Sequence, residues 1–371
     1  MLTWVEIKAA ALRHNIGVFT NVVGNDKLLM VAIKGNAYGH GFLEMARILN
    51  TLKTVNRFCV VDLGEAIRLI DDNIKTKIII LSFFDLNDCD NIKRAISNGV
   101  AFPVYTREQA RLLDKIGNQI KKKAVIHVKV DSGASRIGVL ASEAVKFVQS
   151  LDKFKFLNIE GIFSHYASSE DDKLFTDNQL LKFKQVIEEL KKQNIDIPIR
   201  HLSCSTAAVL YPQTRFNAVR IGLGAYGLYP DELTRKKIKL KPVLSWHTIV
   251  MQVKIVPAWS KISYGGTYTA KRAIKLAILP VGYYDGYDRS LSNRAEVIIN
   301  GVKCPIRGRI CMNMCMADVT GLKKVKAGDR ATLIGKVGRQ SITADELAKI
   351  AETINYEIVN RINPLIPRIV K

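Results

Sequence analysis

Six residues between positions 34 and 220 have side chains suited to acid–base or covalent chemistry, and each ends or closely follows a predicted β-strand. They are Lys34, Lys129, Asp131, His165, Ser205 and Arg220. In a parallel α/β barrel, catalytic groups lie at the carboxyl ends of the strands, where the loops to the next helices begin. If the strands around them close into a barrel, these residues predict one reactive site at its mouth.

Lys34 is the most informative of the six. It ends the apolar run LLMVAIK and precedes GNAYGHG, in which glycines bracket Tyr38 and His40. An amine that points into a barrel mouth loses hydration, so its pKa falls below ~10.4 and it becomes suited to Schiff-base chemistry. From the residues alone, this covalent role and that of an ordinary surface cation are equally well supported.

The segment GLGAYG (Gly222–Gly227) formally satisfies the dinucleotide-binding pattern G-x-G-x-x-G. That pattern must open a helix whose N-terminus faces the pyrophosphate, and Pro230 argues against a helix of useful length here. We therefore reject a dinucleotide site. A glycine-rich loop after the eighth strand of a barrel still offers backbone N–H groups to a single phosphate, so a phosphate-bearing cofactor is consistent with both this loop and Lys34.

From residue 8 to residue 233 the chain alternates short apolar runs with amphipathic helical patterns such as His14–Val23 and Asp177–Lys192. The predicted strands are Leu28–Lys34, Phe58–Asp62, Ile78–Ser82, Ala101–Tyr105, Val125–Asp131, Ile159–His165, Ile199–Ser203 and Ala218–Gly222. Nearly continuous apolar strands with helices between them are typical of a parallel sheet covered on both faces. Eight such units favour an α/β fold of the (β/α)8 TIM-like barrel type, with a doubly wound open sheet as the alternative.

Residues 234–371 are predicted to form a second, mostly β domain. The polar segment Asp231–Pro242 reads as a linker, and one helix is predicted, at Thr343–Thr353. The predicted strands are Ser245–Val256, Lys275–Pro280, Glu296–Asn300 and Arg330–Gly335. Residues 1–7 alternate like a strand and are expected to pair with this domain.

Composition excludes several functional classes. The chain has 371 residues, of which 48% are hydrophobic and 24% charged, as expected for a globular enzyme with a substantial core. No apolar run approaches the ~20 residues of a membrane helix, and Glu6 interrupts any signal peptide, so we expect a cytoplasmic protein with no membrane partner. The net charge of +22 comes from scattered lysines without interleaved aromatics, which argues against nucleic-acid binding. The cysteine spacing predicts no metal site.

The motifs, taken together, resemble those of the alanine racemases over nearly the whole chain. VAIKGNAYGHG (Val31–Gly41) is similar to the pyridoxal-phosphate attachment signature of that family of fold-type III enzymes. The other matching segments, in order along the chain, are KVDSGASRIG, IFSHYA, HLSCST, VRIGLGAYGLYP, ISYGGTY, LPVGYYDG, GRICMN and INYEI. The family's architecture, a pyridoxal-phosphate barrel followed by a β domain, agrees with the organisation predicted from the residues.

The resemblance implies roles for individual residues. Lys34 would bind the cofactor covalently and act as one of two acid–base groups, with Tyr264 from a second subunit of a homodimer as the other. Racemisation needs such a pair, because one group removes the α-proton and another returns a proton from the opposite face. Arg220 would face the pyridine nitrogen of the cofactor, and His165 would join it in a hydrogen-bonded network.

The resemblance also implies which residues hold the cofactor phosphate and the substrate. The phosphate ligands would be Tyr38, Ser205, Gly222, Leu223 and Tyr356. The substrate carboxylate would be bound by Arg136, which Lys129 would position after carbamylation, while Met312 and Tyr283 of the second subunit would narrow the pocket. The implied function is interconversion of L-alanine and D-alanine by this two-base mechanism, supplying D-alanine for peptidoglycan. The alternative is a related pyridoxal-phosphate amino-acid decarboxylase, or a racemase of broader specificity.

Four positions depart from the family pattern. Cys204 stands where Asn is common and Asn313 where Asp is frequent; Gly35 replaces a frequent Ala, and Ala134 a usual Met. None of these departures removes a group with a named chemical role.

Overall fold

The structure is a computed structural model that describes residues 1–371. It consists of two compact units. The barrel unit comprises Leu12–Lys34 and Met45–Lys241, and the β unit comprises Met1–Ala11, Gly35–Glu44 and Pro242–Lys371. The predicted domain boundary, between residues 233 and 234, stays a prediction.

The first strand, β1 (Thr3–Ile7), belongs to the β unit, and the next nine strands belong to the barrel unit. These are β2 (Leu28–Ala32), β3 (Arg57–Val60), β4 (Lys77–Ile80), β5 (Ala101–Val104), β6 (Ala124–Asp131), β7 (Val139–Leu140), β8 (Leu157–Phe163), β9 (Ile199–His201) and β10 (Ala218–Ile221). All neighbouring pairs are parallel, and the pairings β5–β6 and β2–β10 close a ring of eight strands with β7 outside it. The predicted barrel is confirmed, and the open sheet is excluded.

Helices lie between the barrel strands, as predicted. They are α1 (Ala9–Val23), α2 (Phe42–Asn50), α3 (Leu63–Asp71), α4 (Cys89–Ser97), α5 (Arg107–Gln119), α6 (Ala144–Gln149), α7 (Lys173–Lys192), α8 (Ser205–Leu210) and α9 (Glu232–Lys237). Side-chain caps explain where several of these helices begin, because Asp62, Thr106 and Asp172 each accept a hydrogen bond from a backbone N–H in the first turn. None of the helices combines the length and the apolar character that a membrane crossing requires.

The barrel strands stop earlier than predicted at two functional positions. β2 ends at Ala32 and β8 at Phe163, so Lys34 and His165 lie two residues beyond their strands. The predicted linker was also wrong in part, because Glu232–Lys237 forms α9. The side chain of Asp231 starts this helix by accepting hydrogen bonds from the backbone N–H (2.7 Å) and the hydroxyl (2.8 Å) of Thr234.

The β unit is built mainly from antiparallel strands. They are β11 (Leu244–Ile249), β12 (Gln252–Val256), β13 (Lys261–Ile262), β14 (Tyr268–Thr269), β15 (Ile274–Leu279), β16 (Glu296–Ile299), β17 (Val302–Pro305), β18 (Cys315–Asp318), β19 (Arg330–Val337), β20 (Gln340–Ile342) and β21 (Arg368–Val370). The main sheet has the order β17–β16–β19–β11–β1–β21, with β20 paired to β19. In it β1 runs antiparallel to β11 and parallel to β21.

Two predictions for this region were wrong. The run Ser245–Val256 is not one strand, because after β11 the chain leaves the main sheet and continues as β12 in a second sheet, β12–β15–β18. At the change, Val250 N–H donates to the carbonyl of Asp329, just before β19, and Met251 N–H donates to the carbonyl of Ile278 in β15. The region also holds two helices rather than one, α10 (Ala344–Ala351) and α11 (Asn355–Asn360).

Candidate active site

The chain reverses its handedness directly after Lys34. Gly35, Asn36, Ala37, Tyr38 and Gly39 all have φ between +52° and +79°, so the segment is a left-handed turn rather than the loop that its glycines suggested. Gly39 N–H donates to the carbonyl of Gly35 at 3.2 Å, and Gly41 N–H donates to Asn36 at 3.0 Å. Consecutive non-glycine residues rarely adopt this conformation, because Cβ crowds the following carbonyl.

The amine of Lys34 is partly withdrawn from solvent. Burial lowers its pKa below the ordinary lysine value, and the positive charges of Arg136 and Arg220 lower it further. A neutral fraction of this amine is what nucleophilic and base chemistry requires. The structure therefore favours the reactive role of Lys34 over that of a surface cation.

Lys129 is a second buried amine in the barrel unit. Its Nζ donates a hydrogen bond to the carbonyl of Leu81 at 2.8 Å and lies 5.3 Å from the centre of the Phe163 ring. Burial, together with the charges of Arg220, Arg136 and Lys34, lowers its pKa to about 7. Lys129 is thus half neutral near physiological pH.

Arg220 is held rigidly by the barrel wall. Its Nη1 atom donates to Nδ1 of His201 at 2.6 Å and to the His201 carbonyl at 3.0 Å. Its Nη2 atom donates to the carbonyls of Ser164 at 2.7 Å and Leu202 at 3.2 Å. These four hydrogen bonds fix the plane of the guanidinium. His201 was not singled out from the sequence; the one available signal was its place in the segment HLSCST, directly after Arg200 at the end of a short strand.

His165 lies in a loop that is held in place by hydrogen bonds to the buried side chain of Gln179. Nε2 of Gln179 donates to the His165 carbonyl at 3.1 Å, and its Oε1 accepts from the Ala167 N–H at 2.9 Å. Burial lowers the pKa of His165 to about 3, helped by the charges of Arg220 and Arg136. The imidazole is therefore neutral at physiological pH. A hydrogen bond between His165 and Arg220 stays a prediction.

Three of the predicted phosphate ligands meet at the loops after β9 and β10. Gly222 N–H donates to Oγ of Ser205 at 3.0 Å, and Leu223 begins a short 3₁₀ helix, Leu223–Tyr226, that no side chain caps. A Cβ on Gly224 would lie 2.5 Å from the Phe19 ring and 3.4 Å from Cβ of Ser205. The Phe19 ring of α1 is the close contact, whereas 3.4 Å to Ser205 is an ordinary one, so glycine at position 224 allows the loop after β10 to pack against α1.

Arg136 is exposed on the loop that follows β6. The carboxylate of Asp131 accepts hydrogen bonds from the backbone N–H groups of Gly133, Ser135 and Arg136 at 2.9, 3.2 and 3.0 Å. Asp131 was among the strand-end candidates, and its structural task is to shape this loop. An aspartate two residues before a glycine is the local signal for such a turn.

The other two predicted phosphate ligands come together in the β unit. The ring centres of Tyr38 and Tyr356 are 6.1 Å apart. Their approach depends on Gly39, because a Cβ there would lie 1.9 Å from the carbonyl oxygen of Val359 in α11. The guanidinium of Arg368 donates to the Gly39 carbonyl at 3.0 Å and holds the turn in place.

Tyr264, Tyr283 and Met312 also lie in the β unit, with exposed fractions of 69%, 43% and 54%. One segment, residues 308–312, anchors all three. Next to Tyr264, Oγ of Ser263 donates to the Arg309 carbonyl at 2.6 Å, and Tyr283 N–H donates to Cys311 at 3.1 Å. The structure therefore presents these three side chains on one set of connected, exposed loops.

Two family models cover nearly the whole chain. Residues 7–230 match the model described as alanine racemase, N-terminal domain, and residues 243–370 match the model described as alanine racemase, C-terminal domain. A curated relative, alanine racemase of Methanococcus maripaludis, is 37% identical over 369 residues, which are 99% of this chain and 98% of the relative.

Solved structures agree with these matches. Alanine racemase of Clostridium difficile 630 superposes with a TM-score of 0.94 at 32% identity, covering 100% of this chain and 96% of that one. A histidine racemase from Leuconostoc mesenteroides superposes with a TM-score of 0.90 at 25% identity, covering 100% of this chain and 98% of that one.

Proposed function

Because the chain belongs to the alanine racemase family, we propose that it interconverts L-alanine and D-alanine with pyridoxal 5′-phosphate bound through Lys34. The observation that carries this proposal is the environment of Lys34: an amine of lowered pKa, two residues beyond a barrel strand, influenced by the charges of Arg136 and Arg220. A covalently bound aldehyde cofactor requires a partly neutral amine of this kind.

The donor groups of the barrel unit fit pyridoxal phosphate. The hydroxyl of Ser205 and the N–H groups of Gly222 and Leu223 are suited to a phosphate dianion, and the hydrogen bond from Gly222 N–H to Oγ of Ser205 keeps these donors together. Arg220 would donate to the pyridine nitrogen. Tyr38 and Tyr356 of the β unit would add phenolic donors.

When bound, pyridoxal phosphate accepts electron density from the α-carbon of the amino acid. Lys34, released from the cofactor when the amino group of the substrate takes its place, would remove or return a proton on one face of that carbon, and Tyr264 of a second copy would do so on the other face. His165, which stays neutral, would hydrogen-bond to this phenol. Arg136 binds the substrate carboxylate and orients the α-carbon between the two acid–base groups.

The assignment of Tyr264 to a second copy makes the homodimer part of the proposal. The exposure of Tyr264, Tyr283 and Met312 on connected loops of the β unit supports it, because exposed apolar side chains that lie together mark an interaction surface. Tyr283 and Met312 would narrow the substrate end of the partner's pocket to the size of a methyl side chain.

Lys129 is proposed to position Arg136 after carbamylation. Carbon dioxide adds to a neutral amine, forming an N–C bond and releasing one proton, and a pKa of about 7 leaves half of the Lys129 amine neutral at that pH. The carbamate would replace a repelling positive charge with a negative one that attracts the Arg136 guanidinium.

A second candidate is a racemase of broader specificity, because the histidine racemase of Leuconostoc mesenteroides shares the fold over the whole chain. Shape alone discriminates against one extra methylene by only about 1–3 kcal/mol. The decarboxylase alternative is less favoured, since Arg220 is proposed to face the pyridine nitrogen, where such decarboxylases usually carry an acidic residue.

The test is to supply purified protein with pyridoxal phosphate and L-alanine and to follow the loss of optical rotation. We expect activity in the wild-type protein and none in Lys34→Ala, which should also lack the visible absorbance of the lysine-bound cofactor. Release of carbon dioxide would indicate a decarboxylase, and faster turnover of serine or histidine would indicate the broader racemase. Growth of a D-alanine-requiring bacterium on expression of the gene would support a cytoplasmic role in peptidoglycan synthesis.

A further inference from the structure

A row of five polar side chains runs through the interior of the barrel unit, behind Arg220. Nδ1 of His201 lies 2.6 Å from Nη1 of Arg220, and Nε2 of His201 lies 2.8 Å from Nδ1 of His127. Nε2 of His127 then lies 3.0 Å from Oε2 of Glu160, whose Oε1 accepts a hydrogen bond from Nη2 of Arg57 at 2.6 Å. We call this row, Arg220–His201–His127–Glu160–Arg57, the interior relay.

Chemistry at the two ends determines where every proton in the interior relay lies. A guanidinium can only donate, so Nδ1 of His201 must accept from Arg220, and the proton of the neutral ring is on Nε2. That Nε2–H donates to Nδ1 of His127, which places the second ring's proton on Nε2 as well. This proton is donated to Glu160, which can accept from both His127 and Arg57 only as a carboxylate.

The barrel is built around these rings. Both His127 and His201 are completely buried, and the ring of His201 stacks on Phe163 with the planes 2° from parallel. A Cβ on Gly161 would lie 2.2 Å from Nδ1 of His127, so only glycine next to Glu160 leaves room for that imidazole. The pairing of β6 with β8 shifts register between Ile126 and His127, which admits the ring.

The charges in the interior relay agree with the proton positions. Burial lowers the pKa of both His127 and His201, so each imidazole is neutral. Burial opposes ionisation of Glu160, but hydrogen bonds from His127 and Arg57 outweigh it and lower the pKa of the carboxyl to about 2. One half-buried anion is therefore connected to the Arg220 cation by two polarised neutral rings.

We propose that Glu160 is a positioning residue, which through His127 and His201 keeps Nδ1 of His201 an acceptor toward Arg220 and so helps to orient the guanidinium at the site. It makes no contact with substrate or cofactor in this role. The catalytic consequence rests on the proposed function, because Arg220 must face the pyridine nitrogen for its orientation to matter. The arrangement of protons in the interior relay does not depend on that function.

The first experiment measures the proton positions directly in wild-type protein. Nitrogen NMR of protein labelled with ¹⁵N in its histidine rings reports the tautomer and charge of each ring, with assignment by His127→Gln and His201→Gln. We expect both rings to remain neutral, with the proton on Nε2, between pH 5 and pH 8. A ring that titrates in this range, or that carries its proton on Nδ1, would overturn the proposal whatever the enzyme activity.

The second experiment compares Glu160→Gln with Glu160→Asp and with the exposed control Glu188→Gln. A glutamine has one acceptor oxygen for two donors, so it must face either His127 or Arg57 with an NH₂ group. We expect E160Q to lower kcat for alanine at least tenfold with KM within about twofold. E160D, which keeps the carboxylate, should recover part of kcat, and E188Q should match wild type.

The outcomes separate this proposal from the proposed function. If wild-type protein shows the expected tautomers but does not racemise alanine, the function fails and the interior relay stands. If the protein racemises alanine and folded E160Q matches E188Q in kcat, Glu160 has no positioning role. If E160Q does not fold, the wild-type tautomers and kcat of E160D decide. Wrong tautomers, or a kcat of E160D equal to that of wild type, reject the proposal.

Discussion

The carboxylate of Asp131 accepts a hydrogen bond from the backbone N–H of Arg136 at 3.0 Å, across a loop that it also ties at Gly133 and Ser135. A Cβ on Gly138 would lie 2.7 Å from the backbone nitrogen of Asp131, so the loop returns tightly to the strand from which it leaves. The position of the Arg136 backbone is therefore set by a side chain five residues earlier rather than by its own contacts.

Replacement of Asp131 by alanine should weaken substrate binding. The loop loses the acceptor of three hydrogen bonds, and each bond to a charged group is worth ~1.5–3 kcal/mol. We expect KM for alanine to rise about tenfold and kcat to stay within about threefold, as measured by steady-state kinetics. Asp152→Ala, at an exposed position on another loop, is the matched control. A fall in kcat with unchanged KM would contradict the role of Asp131 in placing Arg136.

Replacement of Gly39 by alanine should separate Tyr38 from Tyr356. The new Cβ would lie 1.9 Å from the Val359 carbonyl oxygen, so α11 must move. We expect a loss of roughly 2–4 kcal/mol in the free energy of unfolding and a higher Kd for pyridoxal phosphate.

Gly99→Ala is the control for this change. Gly99 has a similar positive φ, +69° against +79°, but nothing lies within 4 Å of its Cβ position. Gly99→Ala should lower the free energy of unfolding by only about 1 kcal/mol and leave the affinity for the cofactor unchanged. Equal effects of the two substitutions would show that the positive φ, rather than contact with α11, causes the loss of stability.

Lys129 should make stability depend on pH. Its pKa is lowered from 10.5 to about 7 in the folded protein, so between these values the unfolded chain holds a proton that the folded one has released. Stability therefore rises with pH in this window, and the penalty of burying the ammonium is full below pH 7. Lys129→Met has no titrating amine at this position, so its stability should lack this dependence on pH.

Urea unfolding of both proteins from pH 7 to pH 10, in CO₂-free buffer, measures the effect. The stability advantage of K129M over wild type should shrink by about 1.4 kcal/mol per pH unit as pH rises. A difference that does not change with pH would mean that the amine is not held neutral by burial.

Two inactive variants should restore each other if sites are shared between copies. Lys34→Ala removes one acid–base group and Tyr264→Phe the other. A mixed dimer contains one site with both groups intact, so an equimolar mixture that exchanges subunits freely should recover about a quarter of wild-type activity. Lys34→Ala mixed with wild type is the control, because half of wild-type activity is expected there whether or not subunits exchange. No recovery, despite mixed dimers detected by mass, would place Tyr264 and Lys34 in the same subunit's site or in none.

The sequence by itself determined the barrel and the position of Lys34. Apolar runs of strand length, separated by helical periodicity, leave few ways to bury the strands, and reactive residues at the ends of such strands must share the carboxyl edge of the sheet. The order of the motifs along the chain indicated the family. These features are local, or repeat at fixed intervals, and so can be found without knowing which distant residues meet.

Only the tertiary structure decided which side chains partner the reactive ones. Arg220 contacts His201, and His201 contacts His127 across 74 positions of sequence, because three barrel strands turn these residues inward at adjoining levels. The left-handed turn after Lys34 likewise follows from the packing of Gly39 against α11, far along the chain. A pairing between distant residues leaves no periodic trace in the sequence, since it depends on strand order, register and the space that a single glycine leaves open.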